Sequence, residues 1–369
     1  MASKIQFKCS TTSPKTREEV EVSIKLPANA ALTDISCNLQ GPDSRIERLK
    51  IGQIKEGLHK SWFVPKYVGT YNLDVRYRGT QCANSPAMIL VAPRGELKET
   101  IVGRPKFDKP HDIVEFGDGF VITNKGNHEV IITDQAGNVL NKFIQPSLSK
   151  SQSFEPFAVN VHNETILVSD LDNGRVIVYD KDGKGFKEIG GEHQLYRPTG
   201  VTVDDEGKIY VADDQLGSVR VFDKDNNLIR TIGWEGSNPG ELNKPWFIAL
   251  NSKRQLVVAD CQNCRIQIFN SITGELVNCF KVQLDGRDMN VRGLTLDKND
   301  VIYITAITKK RVPFKKVECA MVYTAMGDFI GEFGSGFFFP RGIRVMEKGG
   351  EMLAYIVDGA HDRIAVYVL

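Results

Sequence analysis

Apolar and polar residues alternate with a period of two along most of the chain. This alternation, together with a high content of Val, Ile, Tyr and Phe, predicts β-strands. The runs come in pairs: the first run ends in Asp or Asn, and five residues later Glu, Arg or Ser begins the second. Five copies carry this pattern: FVITNKGNHEVIITD (120–134), ILVSDLDNGRVIVYD (166–180), IYVADDQLGSVRVFD (209–223), LVVADCQNCRIQIFN (256–270) and LAYIVDGAHDRIAVY (353–367).

Two further strands flank each pair. A short apolar strand opened by a proline precedes it, and a Gly/Asn turn with a fourth strand follows. Another unit, Arg292–Gly334, lacks the proline and the paired residues but keeps the strand order. Six units of four strands, with a period of about 45 residues, predict a six-bladed β-propeller over residues 96–369. The opening prolines are Pro110, Pro156, Pro198, Pro245 and Pro340.

The last unit ends after its third strand, at Leu369. Without a fourth strand, this unit would expose the unpaired backbone groups of an open edge. The segment ELKETIV (96–102) directly precedes the first unit, and we expect it to fill the gap and close the ring. The domain boundary is therefore expected near residue 95.

Residues 1–95 contain short alternating strands separated by Gly and Pro turn signals. Seven such strands over about 95 residues predict an immunoglobulin-like sandwich. The chain is therefore expected to be all-β, with a small sandwich followed by a propeller. The predicted sandwich strands are KIQFKCS, EVEVSIKL, ISCNLQG, LKIGQI, HKSWFV, GTYNLDVRY and AMILVA.

Composition excludes several classes of protein. The 369 residues are 41% hydrophobic and 25% charged, as in ordinary globular domains. No apolar run reaches the ~18 residues that cross a bilayer. The seven cysteines are scattered and the N-terminus lacks an apolar signal core, so we expect a cytoplasmic protein without a membrane partner.

The formal net charge of +1 conceals two opposite parts. Residues 1–95 hold 14 Lys and Arg against 8 Asp and Glu, whereas residues 96–369 hold 33 against 38. Any anion site in the second part therefore has to be local. Up-and-down strand order gathers the acidic turns at one end of a propeller, which leaves the other end free to be basic. These turns contain Asp180, Asp182, Asp204 to Glu206, Asp223, Asp225, Asp297 and Asp300.

The residues beside the strand-opening prolines are expected to ring the channel at that other end, where they combine cations with aromatic rings. Phosphate groups attract Lys and Arg, and unstacked bases stack on aromatic faces for ~1–3 kcal/mol each. The loop TKKRVPFKK (308–316) adds five cations at the same end. The candidate binding residues are Lys109, His111, Phe157, Arg197, Lys244, Trp246, Arg292, Lys309, Lys310, Arg311 and Arg341.

Structural roles compete with these functional ones. Phe157 and Trp246 are equally compatible with core positions that cap the channel, and the basic loop with a solvated excursion. Cys261 and Cys264 form a CxxC in one repeat loop without a second pair of ligands, so no metal and no other cofactor is predicted. The Asp–Arg pairs recur with the repeat, which indicates framework contacts; they are Asp170/Arg175, Asp260/Arg265 and Asp358/Arg363.

The units resemble NHL repeats, whose signature is Val-x-Asp, a short loop, Asn-x-Arg-Ile and an alternating strand. Asp260, Asn263, Arg265 and Ile266 fit that signature. Residues 56–91 resemble the end of a filamin repeat through Pro65, Gly69, Tyr71, Gly79, Ser85 and Pro86. This order is similar to the C-terminal half of tripartite-motif (TRIM) proteins of the NHL class, most like the Lin-forty-one branch. No RING, B-box or coiled coil is present in the sequence, so we expect a monomeric fragment of such a protein.

The resemblance implies an RNA-binding module of a post-transcriptional regulator. Such a module recognises a short element of mRNA, a stem-loop or a single strand in the 3′ untranslated region. Translational repression or mRNA decay follows, with repressor proteins as possible partners in developmental regulation. A second hypothesis is a protein-interaction scaffold that recruits substrates for a TRIM ubiquitin ligase. A third is an enzyme, since some six-bladed propellers are lyases or hydrolases, but the predicted ring offers one His and one Glu in unlike units.

Overall fold

A computed structural model describes residues 5–26, 32–55, 57–144, 153–184, 186–191, 193–309 and 317–369. The protein is all-β: its described helical elements are single 3₁₀ turns at Leu32–Asp34, Lys125–Asn127, Leu171–Asn173, Cys261–Asn263 and Gly359–His361. The chain divides into two compact units. One comprises Met1–Glu96 with Val322–Phe333 and Val368–Leu369, and the other comprises Leu97–Met321 and Gly334–Tyr367.

The N-terminal residues form two sheets around one core. Strands of the first sheet run in the order β1-β2-β6-β5 and those of the second in the order β4-β3-β7-β8, with β9 also paired to β7. Val22 and Ile24 of one sheet and Leu73 and Val75 of the other belong to the same buried cluster, so the sheets pack face to face. The strands are β1 Gln6–Cys9, β2 Val20–Lys25, β3 Ile35–Gln40, β4 Ile46–Arg48, β5 Gly52–Lys55, β6 Leu58–Phe63, β7 Gly69–Tyr77, β8 Thr80–Gln81 and β9 Ala87–Val91.

Six sheets, numbered here I to VI in chain order, follow among the described residues between Glu96 and Val368. Sheet I contains β11 Pro110–Phe116, β12 Gly119–Asn124, β13 Glu129–Thr133 and β14 Val139–Phe143. Sheet II contains β15 Pro156–His162, β16 Thr165–Asp170, β17 Arg175–Tyr179 and β18 Phe186–Ile189. Sheet III contains β19 Pro198–Val203, β20 Ile209–Asp213, β21 Ser218–Phe222 and β22 Leu228–Ile232.

Sheets IV to VI continue the same meander. Sheet IV contains β23 Pro245–Leu250, β24 Gln255–Asp260, β25 Arg265–Asn270 and β26 Leu276–Lys281. Sheet V contains β27 Gln283–Leu284, β28 Arg287–Leu296, β29 Ile302–Thr308, β30 Glu318–Tyr323 and β31 Phe329–Phe333. Sheet VI contains β32 Pro340–Lys348, β33 Glu351–Asp358, β34 Arg363–Val368 and, at its edge, β10 Glu96–Ile101.

The first strands of the six sheets contact one another in a closed ring. Each of β11, β15, β19, β23 and β28 packs against the first strand of the next sheet, and β32 packs against β11. The second strands are almost wholly buried, as in β12, whereas the fourth strands are mostly exposed in β14 and β22 and mostly half-buried in β26. This gradient of burial from the ring outwards is that of a propeller-like arrangement.

A β-bulge lies in every ring strand, directly after the opening proline in five of them and at Arg292 in β28. The hydrogen-bonded register skips residues between Pro110 and Asp112, and corresponding shifts occur in the ring strands of the other five sheets. A bulge leaves residues outside the ladder and turns their side chains in a new direction. The skipped residues include His111, Phe157, Thr199, Trp246, Arg292 and Arg341.

Glycine permits close contact between neighbouring ring strands just after these bulges. A Cβ on Gly200 would lie 2.6 Å from the carbonyl oxygen of Trp246, and one on Gly342 would lie 2.2 Å from Oδ1 of Asp112. Neither distance is compatible with a side chain, so the bulged residues of adjacent sheets are drawn together around the channel.

Three predicted element boundaries were wrong. The ring strand of sheet V begins at Arg287 rather than at Arg292, because Gln283–Leu284 folds back on it as a hairpin. The sandwich has two short strands, β4 and β8, that lack a clear alternating run. The predicted strand at Leu49–Ile54 is shifted to Gly52–Lys55.

Candidate functional site

A cavity of about 530 Å³ opens where the bulged residues converge, at the proline end of the ring strands. Six of the predicted binding residues line it, and Lys125, Leu171 and Phe339 contribute to its walls. The sequence-predicted residues that the structure brings together here are Lys109, His111, Phe157, Arg197, Trp246 and Arg341.

Two arginines lie against the indole ring of Trp246. The guanidinium carbon of Arg292 lies 4.3 Å from the ring centroid, and that of Arg341 lies 5.3 Å from it. Burial and the neighbouring charge of Arg292 lower the pKa of Arg341 to about 10. In the described part of the chain, no ion pair involves either arginine. The cluster therefore concentrates two guanidinium charges, and the opposing carboxylate charge acting on Arg341 is that of Glu318, which accepts the backbone N–H of Phe339 at 3.1 Å.

Aromatic side chains form the floor beneath this cluster. Phe157 and Trp246 meet edge to face, with centroids 5.3 Å apart, and His111 packs 3.9 Å from Phe157. Phe157 is buried, Trp246 is half-buried, and Phe339 at the rim is 36% exposed. Of the two alternatives considered for Phe157, the core position is the correct one, whereas Trp246 and Phe339 present ring surface to the cavity.

His111 is a neutral element of the floor rather than a cation. Its Nδ1 lies 2.9 Å from the carbonyl oxygen of Phe157, which can only accept a hydrogen bond, so Nδ1 carries the proton. Burial, followed by the positive charges of Arg341 and Lys125, lowers the pKa of His111 well below 6.5. Its contribution to a binding surface is its ring, not a charge.

This pKa predicts a pH dependence of stability. Below pH 6.5 the unfolded chain takes up a proton at His111 that the folded chain does not, so stability is lost as pH falls, by at most about 1.4 kcal/mol per pH unit. His111→Asn keeps a donor near Phe157 but does not titrate. In urea unfolding, we expect the stability advantage of the wild type over this variant to shrink between pH 7.5 and pH 5.5. An unchanged or growing advantage would contradict the assignment.

Arg197, a predicted binding residue, is paired with carboxylates in the structure. Its Nε donates to Asp214 at 3.0 Å and its Nη1 to Asp172 at 3.1 Å, so two carboxylates neutralise it. Lys125, which the sequence reasoning missed, is likewise paired with Glu155 at 3.1 Å. This side of the cavity is therefore close to electrically neutral.

Lys109 and Lys244 lie exposed at the rim, and in the described ranges neither side chain forms an ion pair. Both residues, like Phe339, precede the proline of a ring strand and adopt left-handed backbone, with φ of 46°, 53° and 59°. This conformation is uncommon for residues other than glycine and asparagine, and it costs of order 1–3 kcal/mol. The side chains at the rim are thus held in place by the surrounding fold.

Of the three binding residues predicted in the basic loop of sheet V, Lys309 lies within the described ranges. Lys309 is exposed, and its Nζ donates to the carbonyl oxygen of Gln262 at 2.6 Å. Lys310 and Arg311 lie outside the described residues.

The Asp–Arg pairs are framework contacts, as their recurrence indicated. The ion-pair distances are 3.0 Å for Asp170–Arg175, 2.7 Å for Asp260–Arg265 and 2.8 Å for Asp358–Arg363. Each aspartate also accepts a backbone N–H from the segment leading into the ring-strand proline of its own sheet, for example that of Asn243 at 2.7 Å from Asp260. The repeat motif therefore fixes the backbone that carries the rim residues.

The CxxC forms part of the same framework. Cys261 and Cys264 are both buried, and burial raises the pKa of each thiol to about 11. The Cys264 thiol donates to Oδ1 of Asn290 at 3.1 Å. Within the described ranges, no group of three or more His, Cys, Asp or Glu side chains is placed to hold a metal ion.

Acidic turns surround the opposite end of the channel. A cavity of about 590 Å³ there is lined by Asp204, Asp205, Asp297 and Asp300, together with Arg254 and other residues. Several of these carboxylates cap turns: Asp204, for instance, accepts the backbone N–H of Lys208 at 2.8 Å. The two ends of the channel therefore differ in charge. Among the described residues, no helix has the length and apolar character that crossing a membrane requires.

Comparisons with known proteins agree with this architecture. The NHL repeat profile matches residues 195–222 and 242–269, in sheets III and IV. Protein brain tumor of Drosophila melanogaster is 29% identical over 132 residues, which make up 35% of this chain and 13% of that protein. Human NHL repeat-containing protein 3 is 30% identical over 124 residues, or 30% of this chain and 36% of the relative. The matched region spans well under half of either relative.

A solved structure extends the likeness over most of the ring. Virginiamycin B lyase from Staphylococcus aureus aligns over 74% of this chain and 100% of its own, with a TM-score of 0.53 and 16% identity. Identity this low shows a shared fold alone. The fold and the matches together support an all-β, propeller-like protein that contains NHL repeats.

Proposed function

We propose that this chain is the RNA-binding module of a post-transcriptional regulator, and that the end of the channel bearing Arg292, Trp246 and Arg341 contacts an mRNA element. The proposal includes a six-bladed NHL propeller and a filamin-like N-terminal sandwich of the TRIM-NHL type, closest to the Lin-forty-one branch. The two guanidinium groups on one indole ring, without a carboxylate partner among the described residues, are the observation that carries it.

The chemistry of this end suits a flexible nucleic acid. Lys109, Lys244, Arg292 and Arg341 supply positive charge for phosphates, and Trp246 and Phe339 supply ring faces on which bases can stack. An RNA stem-loop would present unstacked loop bases to such a surface. Because residues 96–369 carry more acidic than basic residues, binding depends on this local cluster rather than on overall charge.

The test is the salt dependence of RNA affinity. Fluorescence anisotropy of the full chain with short uridine-rich and hairpin RNAs is to be compared at about 50 and about 200 mM salt. Four phosphate contacts predict a roughly 50-fold weaker affinity at the higher salt, from a slope of about −0.7 per contact for single strands. Absence of binding tighter than about 10 μM at the lower salt, or affinity that salt does not change, would refute the proposal.

A protein partner at the same end is the second candidate. Trp234 and Phe338, in loops leading to ring strands, are 63% and 48% exposed, and such side chains are common anchors in protein interfaces. An acidic peptide would compete for the same arginines but gain no stacking of bases. Peptide binding that survives at a salt concentration abolishing RNA binding would favour this candidate.

We propose a binding module rather than an enzyme. The likeness to a lyase concerns the fold alone. In the channel, the Nδ1 proton of His111 is committed to Phe157, and Glu155 is paired with Lys125. The Glu155 carboxylate is therefore not poised as a general base, and among the described residues no hydrogen bond joins His111 to a second titratable side chain.

A further inference from the structure

We propose that Arg292 and Arg341, on the ring of Trp246, form a discrete subsite for a single phosphate group. This inference deepens the proposed function and rests on it for the source of the phosphate, an RNA strand. The subsite itself is defined by the geometry of this chain and can be tested with the free anion.

Other half-buried arginines of the ring show how this fold normally treats such charges. Arg175, Arg265 and Arg363 each contact the aspartate of their own repeat. Arg197 contacts two aspartates, and Arg344 lies 3.5 Å from Asp112. Each of these five guanidinium groups has a carboxylate nearby, because burying an unpaired charge is costly, whereas Arg220 bonds to the hydroxyl of Thr231.

Arg292 and Arg341 both differ from the five paired arginines. Neither guanidinium group has a hydrogen-bonded or ion-pair partner among the described residues, and the two positive charges repel each other beside the indole. Nε of Arg292 and Nε1 of Trp246 are also buried without an acceptor. An anion between the guanidinium groups would relieve the repulsion and supply the missing acceptors for their terminal N–H groups.

The surroundings leave the arginines available to a ligand. Of the carboxylates that line the cavity, Asp214 is engaged with Arg197, and Asp362 with Lys106 at 3.1 Å. Asp108 lies against Gly126, in the turn that contains Lys125. The wall near Arg341 also contains Gly359 and Ala360, and the Glu318 carboxylate, which attracts Arg341, accepts the backbone N–H of Phe339 at 3.1 Å.

Phosphate fits this arrangement better than a carboxylate. Planar guanidinium groups bind phosphate oxygens in pairs, and two such groups match the charge and the number of acceptors of one phosphate. The cavity of about 530 Å³, which Arg341, Trp246 and Phe339 line, also admits the nucleoside attached to the phosphate.

The decisive experiment uses the full chain and calorimetric titration with inorganic phosphate, with chloride at equal ionic strength as the blank. We expect saturable binding that Arg292→Gln and Arg341→Gln each weaken at least tenfold. Arg254→Gln, the same change at the acidic end of the channel, is expected to have no effect. Thermal melting verifies that the variants fold. Absence of saturable phosphate binding, or equal binding by all variants, would overturn the subsite.

RNA arms separate the subsite from the proposed function and identify which phosphate it holds. Oligonucleotides of one sequence with a 5′-phosphate or a 5′-hydroxyl are compared on wild type and Arg341→Gln. Tighter binding of the phosphorylated strand, lost in the variant, assigns a terminal phosphate; equal binding, weakened alike by the variant, assigns an internal one. Phosphate binding without RNA binding would uphold the subsite and refute the function. RNA binding that neither arginine substitution weakens would refute the subsite and uphold the function.

Discussion

Replacing both Arg292 and Arg341 with glutamine is expected to weaken RNA binding by about 100-fold or more. A hydrogen bond to a charged group contributes about 1.5–3 kcal/mol, and each tenfold change in affinity corresponds to about 1.4 kcal/mol. The slope of log affinity against log salt should become shallower by about 0.7 per lost contact. Glutamine keeps most of the side-chain volume, so the packing against Trp246 is retained.

The same double variant should not lose stability. In the wild type the two guanidinium charges repel each other and form no ion pair among the described residues. Removing both charges is therefore expected to leave the thermal midpoint unchanged or slightly higher. Arg254→Gln is the matched control, since Arg254 lies at the acidic end, 2.8 Å from Glu206. Full affinity in the double variant, or an equal loss in the control, would show that the arginine pair is not the contact.

Asp260→Ala is expected to reduce the free energy of unfolding by about 3–5 kcal/mol. Asp260 is fully buried and accepts hydrogen bonds from Arg265, Asn263, Gln267 and the backbone of Asn243. Alanine leaves these donors without that acceptor and leaves the guanidinium of Arg265 buried without its carboxylate. Urea unfolding followed by tryptophan fluorescence measures the loss.

Asp225→Ala provides the control for this change. Asp225 is an exposed carboxylate in a turn at the acidic end, where a substitution is expected to alter stability by no more than about 0.5 kcal/mol. Comparable effects of the two substitutions would mean that the repeat aspartates do not hold the framework together.

The strand order could be predicted from the sequence because the same pattern of strands recurs in several copies. Buried strands read as alternating or continuous apolar runs, and prolines mark the start of five ring strands. Sheet V lacks the proline and the Asp–Arg pair. There the unit was predicted to begin at Arg292, whereas the ring strand begins five residues earlier, at Arg287. The short strands β4 and β8 have too few residues to show a period.

The positions of the site residues could be predicted from the sequence, but their ion pairing and protonation could not. Counting from the prolines located the bulged residues that line the cavity. It could not show that Arg197 meets Asp172 and Asp214, which lie 25 and 17 residues away in sequence, or that His111 is buried and neutral. Three consecutive phenylalanines before Pro340, Phe337 to Phe339, were a readable signal for Phe339 at the rim. Ion pairing and burial depend on how neighbouring sheets meet, which a single repeat does not encode.

Photochemical cross-linking of a short uridine-rich RNA to the full chain, with the attached peptides identified by mass spectrometry, tests the central claim most directly. We predict cross-links at Trp246, Phe339 or their neighbours in the ring strands, and their loss in the double arginine variant. Cross-links confined to residues 1–95 or to the acidic turns at the other end of the channel would contradict it.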